Sequence, residues 1–345
     1  MKRRITLIAA TAFVLVGWAA AQSFTIGVSN GFVGSEWRTI MVQDLERTAA
    51  AIEEELGIDL ELVFENADVD VQGQIQQVQN LLNRGVDAII INPNDQSALN
   101  LALEEAVDEG VVVISTDQEV SAQGVYNVVI DQKEWGAANA RWLAEALGGE
   151  GRIIVIEGFV GHPANEDRME GALEVLAEYP GIEVVGRESG GWDQATGQRV
   201  ASDMLASLTG IDGILTQDGM AQGILTAVRA ANPDPFPIMT GEAYAGYLRL
   251  WDQTRREHPG FTSVAVVNPP GIASSALRVA VEILMGGEVD ESQLAGDFGN
   301  TLYVPIPFQI TEEDLDEALE QYADMPDTFA MDGIITQEEA RAFMR

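Results

Sequence analysis

Residues Ala88–Asn92 read AIIIN, and residues Val111–Thr116 read VVVIST. Each is a short, nearly unbroken run of β-branched or apolar side chains that closes on polar residues. A strand with one wet face alternates apolar and polar positions. A run apolar at every position belongs to a strand covered on both faces, which is the habit of parallel sheets. Between the two runs, Ser97–Glu109 (SALNLALEEAVDE) carries helical spacing, so the segment is a strand–helix–strand unit of a doubly wound sheet.

The same grammar extends in both directions. Strands are predicted at Phe24–Ser29, Leu60–Glu65 and Asn127–Asp131, with helices near Trp37–Leu56, Val71–Arg84 and Glu134–Leu147. The turn Gly148-Gly149-Glu150-Gly151 ends this block, and a second begins. Its strands are Arg152–Glu157, Glu183–Glu188, Gly213–Gln217, Pro237–Gly241 and Thr262–Val267, separated by helices near Asn165–Tyr179, Gln194–Leu208, Ala221–Ala231 and Gly246–Glu257. Two α/β halves therefore follow each other, without the short period of a solenoid. A further helix at Ile272–Met285, a strand over Thr301–Ile310 and an acidic helical tail complete the chain. The left-over helix is placed to cross back to the first half, which gives a first lobe of residues 22–131 plus 269–299 and a second of 132–268 plus 300–345.

Composition excludes several function classes. The 345 residues include 55 acidic and 19 basic side chains, for a formal charge of −36. That balance argues against nucleic acid, whose phosphates need Lys and Arg. With no cysteine and two histidines, thiol nucleophiles, disulfide frameworks and cysteine- or multi-histidine-based metal sites are out of reach. No metal or cofactor is expected. An apolar fraction of 46% supports a substantial core. Lys2 and Lys133 are the two lysines; the other basic residues are arginine.

The N-terminus reads as an export address. Lys2-Arg3-Arg4 form a positive start, Ile5–Trp18 an apolar stretch too short for a membrane span, and Ala19-Ala20-Ala21 a small-residue cleavage pattern. A signal peptide over residues 1–21, cut after Ala21, is expected. Lipid attachment at the cut would need a cysteine, so a free periplasmic protein is expected.

Ligands of open parallel sheets bind beyond the carboxyl ends of the strands. Those positions hold Ser29, Asn30, Asn92, Asp117 and Asp131 in the first half, and Glu157, Gln217 with Asp218, Glu242 and Asn268 in the second. Any one of them is what helix caps and turns require. As a set, with Trp37 and Trp192 nearby, they read as a site. Carboxylates, amides and arginine around indole rings suit a sugar, whose hydroxyls both donate and accept and whose C–H faces are apolar.

The segment Gly161–Arg168 (GHPANEDR) resembles the ligand loop of the galactose/glucose- and ribose-binding periplasmic proteins. Ala88–Asp95 (AIIINPND), Val113–Asp117 (VISTD) and Thr216–Gly223 (TQDGMAQG) are similar to other cleft segments of that family, and Gly34-Ser35-Glu36-Trp37-Arg38 looks closest to its galactofuranose-type branch. The resemblance runs through nearly the whole chain after residue 21. It implies the type I periplasmic binding protein fold: two doubly wound parallel-sheet (Rossmann-like) α/β lobes joined by a multi-crossing hinge. It further implies a non-enzymatic, monomeric solute-binding protein of an ABC sugar importer that closes on a monosaccharide, pentose or hexose, and hands it to a membrane permease. Carried over residue by residue, Trp37 and Trp192 match the stacking aromatics. Asn92, Asp117, Arg168 and Gln217 match hydrogen-bonding positions, Arg38 is the arginine of the Trp-Arg pair that follows strand one in the galactofuranose-type branch, His162 matches a histidine of hexose-binding members, and Asn268 a hinge position. Glu242 replaces the usual Asp, Gln118 stands where pentose-binding members have arginine, and Ala164 where glucose-binding members have aspartate.

Three other readings are weaker. Gly27-Val28-Ser29-Asn30-Gly31 matches the nucleophile-elbow spelling of serine hydrolases, with Ser29 needing His162 or His258 as base. A two-lobed repressor would need a basic DNA-reading module where the export address stands. Asp332–Glu339 resembles half of a calcium loop, but Thr328 and Ala330 occupy the positions of the first acidic ligands.

Overall fold

The computed structural model describes residues 22–345; the expected signal peptide lies outside the described residues. The first half runs β1 (Ser23–Asn30), α1 (Glu36–Leu56), β2 (Asp59–Asn66), α2 (Val71–Asn83), β3 (Ala88–Asn92), α3 (Asn100–Asp108), β4 (Val112–Thr116) and β5 (Tyr126–Val129). The second runs α4 (Gln132–Ala146), β6 (Glu150–Glu157), α5 (Pro163–Ala177), β7 (Gly181–Ser189), α6 (Gln194–Ser207), β8 (Gly213–Thr216), α7 (Ala221–Ala231), β9 (Ile238–Thr240), α8 (Ala245–Glu257) and β10 (Ser263–Val266). There follow α9 (Ile272–Leu284), β11 (Thr301–Tyr303), β12 (Gln309–Ile310), α10 (Leu315–Gln321) and α11 (Gln337–Arg341).

The strands form two six-stranded sheets of matching order, β2-β1-β3-β4-β5-β11 and β7-β6-β8-β9-β10-β12. Every pairing is parallel except that of β12 with β10. In β3, Ala88 and Ile90 pack with α1 and α9 residues such as Met41, Leu45 and Leu277, whereas Ile89 and Ile91 pack with Leu81 and Leu103 of α2 and α3. In β6, Ile154 and Ile156 face one cluster while Ile153 and Val155 face the other. Both faces of each sheet are thus dry, which is why these strands are apolar at every position.

Two expectations need correction. Thr301–Ile310 is not one strand: β11 joins the first sheet beside β5, and β12 joins the second beside β10. Pro305 and Pro307 lie between them; proline donates no ladder hydrogen bond, so the chain leaves one sheet and enters the other. Residues 300–345 accordingly do not all belong to the second lobe. β11 and α11 sit with the first, α11 packing on α9, while β12 and α10 sit with the second. The chain therefore passes between lobes at Ile130–Asp131, Val267–Gly271, Val304–Phe308 and Asp332–Ile335.

The first pair of helices of the second lobe, α4 and α5, cross in close contact. A Cβ on Gly136 would lie 1.9 Å from the Arg168 carbonyl oxygen, and one on Gly171 2.0 Å from that of Lys133. Gly171→Ala is expected to force these backbones apart at a cost of about 1–3 kcal/mol. Urea unfolding should show a lower midpoint with an unchanged slope; an unchanged midpoint would mean the crossing is looser than described.

Candidate functional site

In each sheet the chain leaves the first strand to one side and the third to the other, which opens a crevice at the strand ends. The two crevices face each other and enclose a cavity of about 1010 Å³, at the upper end of small-molecule sites.

From the first lobe, β1 leads through Ser35, whose hydroxyl caps α1 by accepting from the Arg38 amide at 3.3 Å, so that Trp37 and Arg38 enter the cavity from the first turn. The Arg38 guanidinium is buried. It donates to Asn30 Oδ1 at 3.0 Å and lies 3.7 Å from Asp117 Oδ2. Burial pushes its pKa down to about 10 against the pull of Asp117, so it stays charged at neutral pH. Asp117 itself adopts a left-handed backbone, φ 67°, just past β4.

The second lobe repeats the arrangement. Arg168, on α5, donates from Nη1 to Asp218 Oδ1 and from Nε to Gln132 Oε1, each at 2.7 Å. Its guanidinium lies 4.3 Å above the buried Trp135 ring, a cation–π contact. Each lobe therefore presents one buried arginine–aspartate pair to the shared cavity.

Trp192 forms part of the second wall. Its Nε1 donates to Gln217 Oε1 at 2.8 Å, and Gln217 Nε2 donates to Asn165 Oδ1 at 2.9 Å. A Cβ on Gly158 would meet the indole at 2.2 Å, so only glycine leaves room for it. Phe159 and His162 pack edge-on against Trp192, at 5.4 and 4.8 Å between ring centroids. Phe159 also meets Phe32 of the first lobe at 6.5 Å across the mouth of the cleft. Trp37 donates to the Asn268 carbonyl at 3.1 Å, and Asn268 Nδ2 donates to Asp218 Oδ2 at 3.0 Å, so this hinge residue touches both lobes.

Of the residues singled out from sequence, Trp37, Arg38, Asp117, His162, Arg168, Trp192, Asp218 and Asn268 line the cavity. The others do not, among them Asn30, which accepts from Arg38, and Glu157, which pairs with Arg187. The Ser29 hydroxyl points to α2, donating to Gln77 Oε1 at 2.8 Å; it has no histidine or carboxylate partner among the described residues, as a hydrolase would require. Asn92 lies behind Asp117 and donates to its Oδ2 at 3.3 Å. Asp131 caps α4, accepting from the Glu134 amide at 2.8 Å. Gln217 braces Trp192, and its neighbour Asp218 faces the cavity instead. Glu242 is buried at the start of α7, accepting from Gln194 Nε2 at 2.7 Å and from the Gln222 amide at 3.1 Å. Burial outweighs these donors and pushes its pKa up to about 7. Sequence reasoning missed Phe32, Phe159 and Tyr244, which lie in or beside loops without periodicity, and the rim carboxylates Glu36, Asp70, Asp193 and Asp327.

The cavity thus offers fixed hydrogen-bonding groups of both signs and flat aromatic walls. This is the construction of a two-lobed ligand-binding protein. The sequence profile described as a periplasmic binding protein domain matches residues 26–288, and the chain belongs to that family. It is 27% identical to the xylitol-binding protein of Mycolicibacterium smegmatis over 96% of this chain and 92% of the relative. It is 26% identical to the galactofuranose-binding protein of Escherichia coli over 88% of this chain and 95% of that one. The crystal structure of an ABC transporter solute-binding protein from Thermobispora bispora superposes with a TM-score of 0.77 at 27% identity, covering 92% of this chain and 94% of that one. Among the described residues no helix is long and apolar enough to cross a membrane, and no group of three or more acidic or histidine side chains is placed to hold a metal ion. Asp332, at the start of the calcium-loop resemblance, instead accepts from the Gly271 and Gly333 amides at 2.9 and 2.8 Å.

His162 sits at the N-cap of α5 with Pro163 after it, and its ring makes no capping bond. Burial, then the charges of Arg38 and Arg168, push its pKa down to about 3, so it faces the ligand as a neutral imidazole. In an NMR titration, the resonances lost in His162→Gln should stay in the neutral form from pH 8 to pH 5. A midpoint near the ordinary value of about 6.5 would contradict the burial of this ring.

Proposed function

We propose that the chain is the solute-binding protein of an ABC importer for a neutral sugar or polyol. It is exported to the periplasm with residues 1–21 removed and works there as a free monomer. The observation that carries this reading is the pair of buried arginine–aspartate couples, one per lobe, facing each other across the aromatic cavity. Each couple balances its own charge, so the ligand need bring none. The exposed rim carboxylates Glu36, Asp70, Asp193 and Asp327 further disfavour anions.

The relatives named for xylitol and galactofuranose point to the same chemistry, an uncharged chain or ring studded with hydroxyls. Each hydroxyl can donate to a carboxylate and accept from a guanidinium. The Asn268 Oδ1 and His162 Nδ1 atoms, buried and without partners among the described residues, are further acceptors suited to hydroxyl donors.

Binding drives closure through the contacts made with both lobes at once. Moving the lobes from mostly open to mostly closed needs about 5.5 kcal/mol of differential affinity. Hydrogen bonds to charged groups contribute about 1.5–3 kcal/mol each, so two or three suffice. The closed shape is then what the permease engages.

A thermal-shift panel should show stabilisation by a neutral pentose, hexose or polyol such as xylitol, and none by the corresponding sugar acids. Asp117→Ala and Asp218→Ala should each weaken the best ligand about 10- to 150-fold by calorimetry, the equivalent of one charged hydrogen bond. Preference for sugar acids, or wild-type affinity in both variants, would overturn the assignment.

A further inference from the structure

Beside the first hinge crossing lies a second crevice of about 160 Å³, sharing Asp117 and Ala164 with the main cavity. Its walls come from both lobes. Glu119 and Asp297 stand on the first, Asp167 and Glu170 on α5 of the second, and Asp131 on the crossing itself. Asp117 is answered by Arg38, and Glu170 shares Lys133 with Glu174 at 2.8 Å each. Arg168, next in the chain to Asp167, turns the other way to Asp218 and Gln132. Glu119 accepts a hydrogen bond from the Tyr303 hydroxyl at 3.0 Å. Among the described residues, no arginine or lysine pairs with Glu119, Asp167 or Asp297. Gln118, buried in the same wall, leaves its Oε1 without a donor among the described residues.

We propose that this crevice couples lobe closure to protonation. With its carboxylates ionised, like charges from the two lobes oppose each other across the crevice and hold the lobes apart; protonation at Asp167 removes that opposition and favours closure. The two sides meet at a hinge crossing, so their separation changes as the lobes swing.

The sign follows from burial. In the arrangement described here, burial first, then Glu119, Glu170, Asp297 and Asp131, push the Asp167 carboxyl up to about 6 from its ordinary 3.8. Burial also raises the Glu119 carboxyl. Opening the crevice hydrates Asp167 and moves it from Glu119 and Asp297, returning it toward the ordinary value. Phe32 and Phe159, from opposite lobes, meet across the mouth of the cleft, so the arrangement described is a closed one; it binds the proton more tightly than the open one, and acidification through that window populates it. For a pKa moving between these two values, lowering the pH from 7.5 to 5.0 raises the closed-to-open ratio about tenfold.

The chain has no native cysteine, so spin labels attach only where cysteines are introduced. Exposed Gln79 on α2 and Ser202 on α6 stand on different lobes. Pulsed electron-spin distance measurements on the Gln79→Cys/Ser202→Cys protein, with no sugar added, should show the shorter-distance population rising about tenfold between pH 7.5 and 5.0. Asp167→Asn should show the short population at both pH values, and Glu119→Gln should weaken the pH response. Superimposable distributions at the two pH values would overturn the proposal, as would an undiminished response in both variants. Because no sugar enters the measurement, its outcome is independent of the ligand assignment.

Discussion

The rest of the structure depends on the cost of burying a guanidinium. An unpaired buried charge costs several kcal/mol, so Arg38 and Arg168 can be buried in the cleft walls only if each finds a carboxylate and fixed hydrogen-bond partners. Each lobe solves this internally. Arg38 has Asp117 and Asn30, with Asn92 steadying Asp117; Arg168 has Asp218 and Gln132, with the Trp135 ring beneath it. Neither lobe needs the other to satisfy its charge, so the cleft can stand open without penalty. A ligand that adds hydrogen bonds to both couples then decides whether it closes.

The hinge is wired into these couples. Trp37 of the first lobe donates to the Asn268 carbonyl, and Asn268 donates to Asp218 of the second. Beside the Ile130–Asp131 crossing, Gln132 donates to the Asp117 carbonyl at 3.4 Å and accepts from Arg168. A rotation of one lobe on the other therefore acts on the aspartates that would receive the sugar. This gives ligand contacts and lobe orientation a short physical connection, the requirement for a binding-driven two-state change.

Much of this was legible in the sequence, for stated reasons. AIIIN and VVVIST reveal parallel strands because both faces of such strands are dry, and the polar residues that end them fall near the cleft because the sheets are doubly wound. What failed was finer. At a strand end, adjacent side chains point to opposite sides, so choosing Gln217 over Asp218, or Ser29 as a cleft residue, was decided by geometry that a polar-residue pattern does not contain. Asp131 turned out to be a helix cap, the ordinary use of an aspartate before a helix. Pro305 and Pro307 did mark the break between β11 and β12, but the apolar residues around them masked a crossing between sheets. Phe32 and Phe159 carry no periodic signal, and the meeting of their rings depends on the lobes being side by side.

Ligand binding thus closes two internally satisfied lobes. Small-angle X-ray scattering tests it most directly, recorded on the chain alone and saturated with the neutral sugar or polyol that stabilises it most. Closure gives the saturated sample a smaller radius of gyration and a shorter maximum dimension. The same contraction should be absent in Asp117→Ala/Asp218→Ala at that ligand concentration. Identical scattering curves for the free and saturated protein would contradict it.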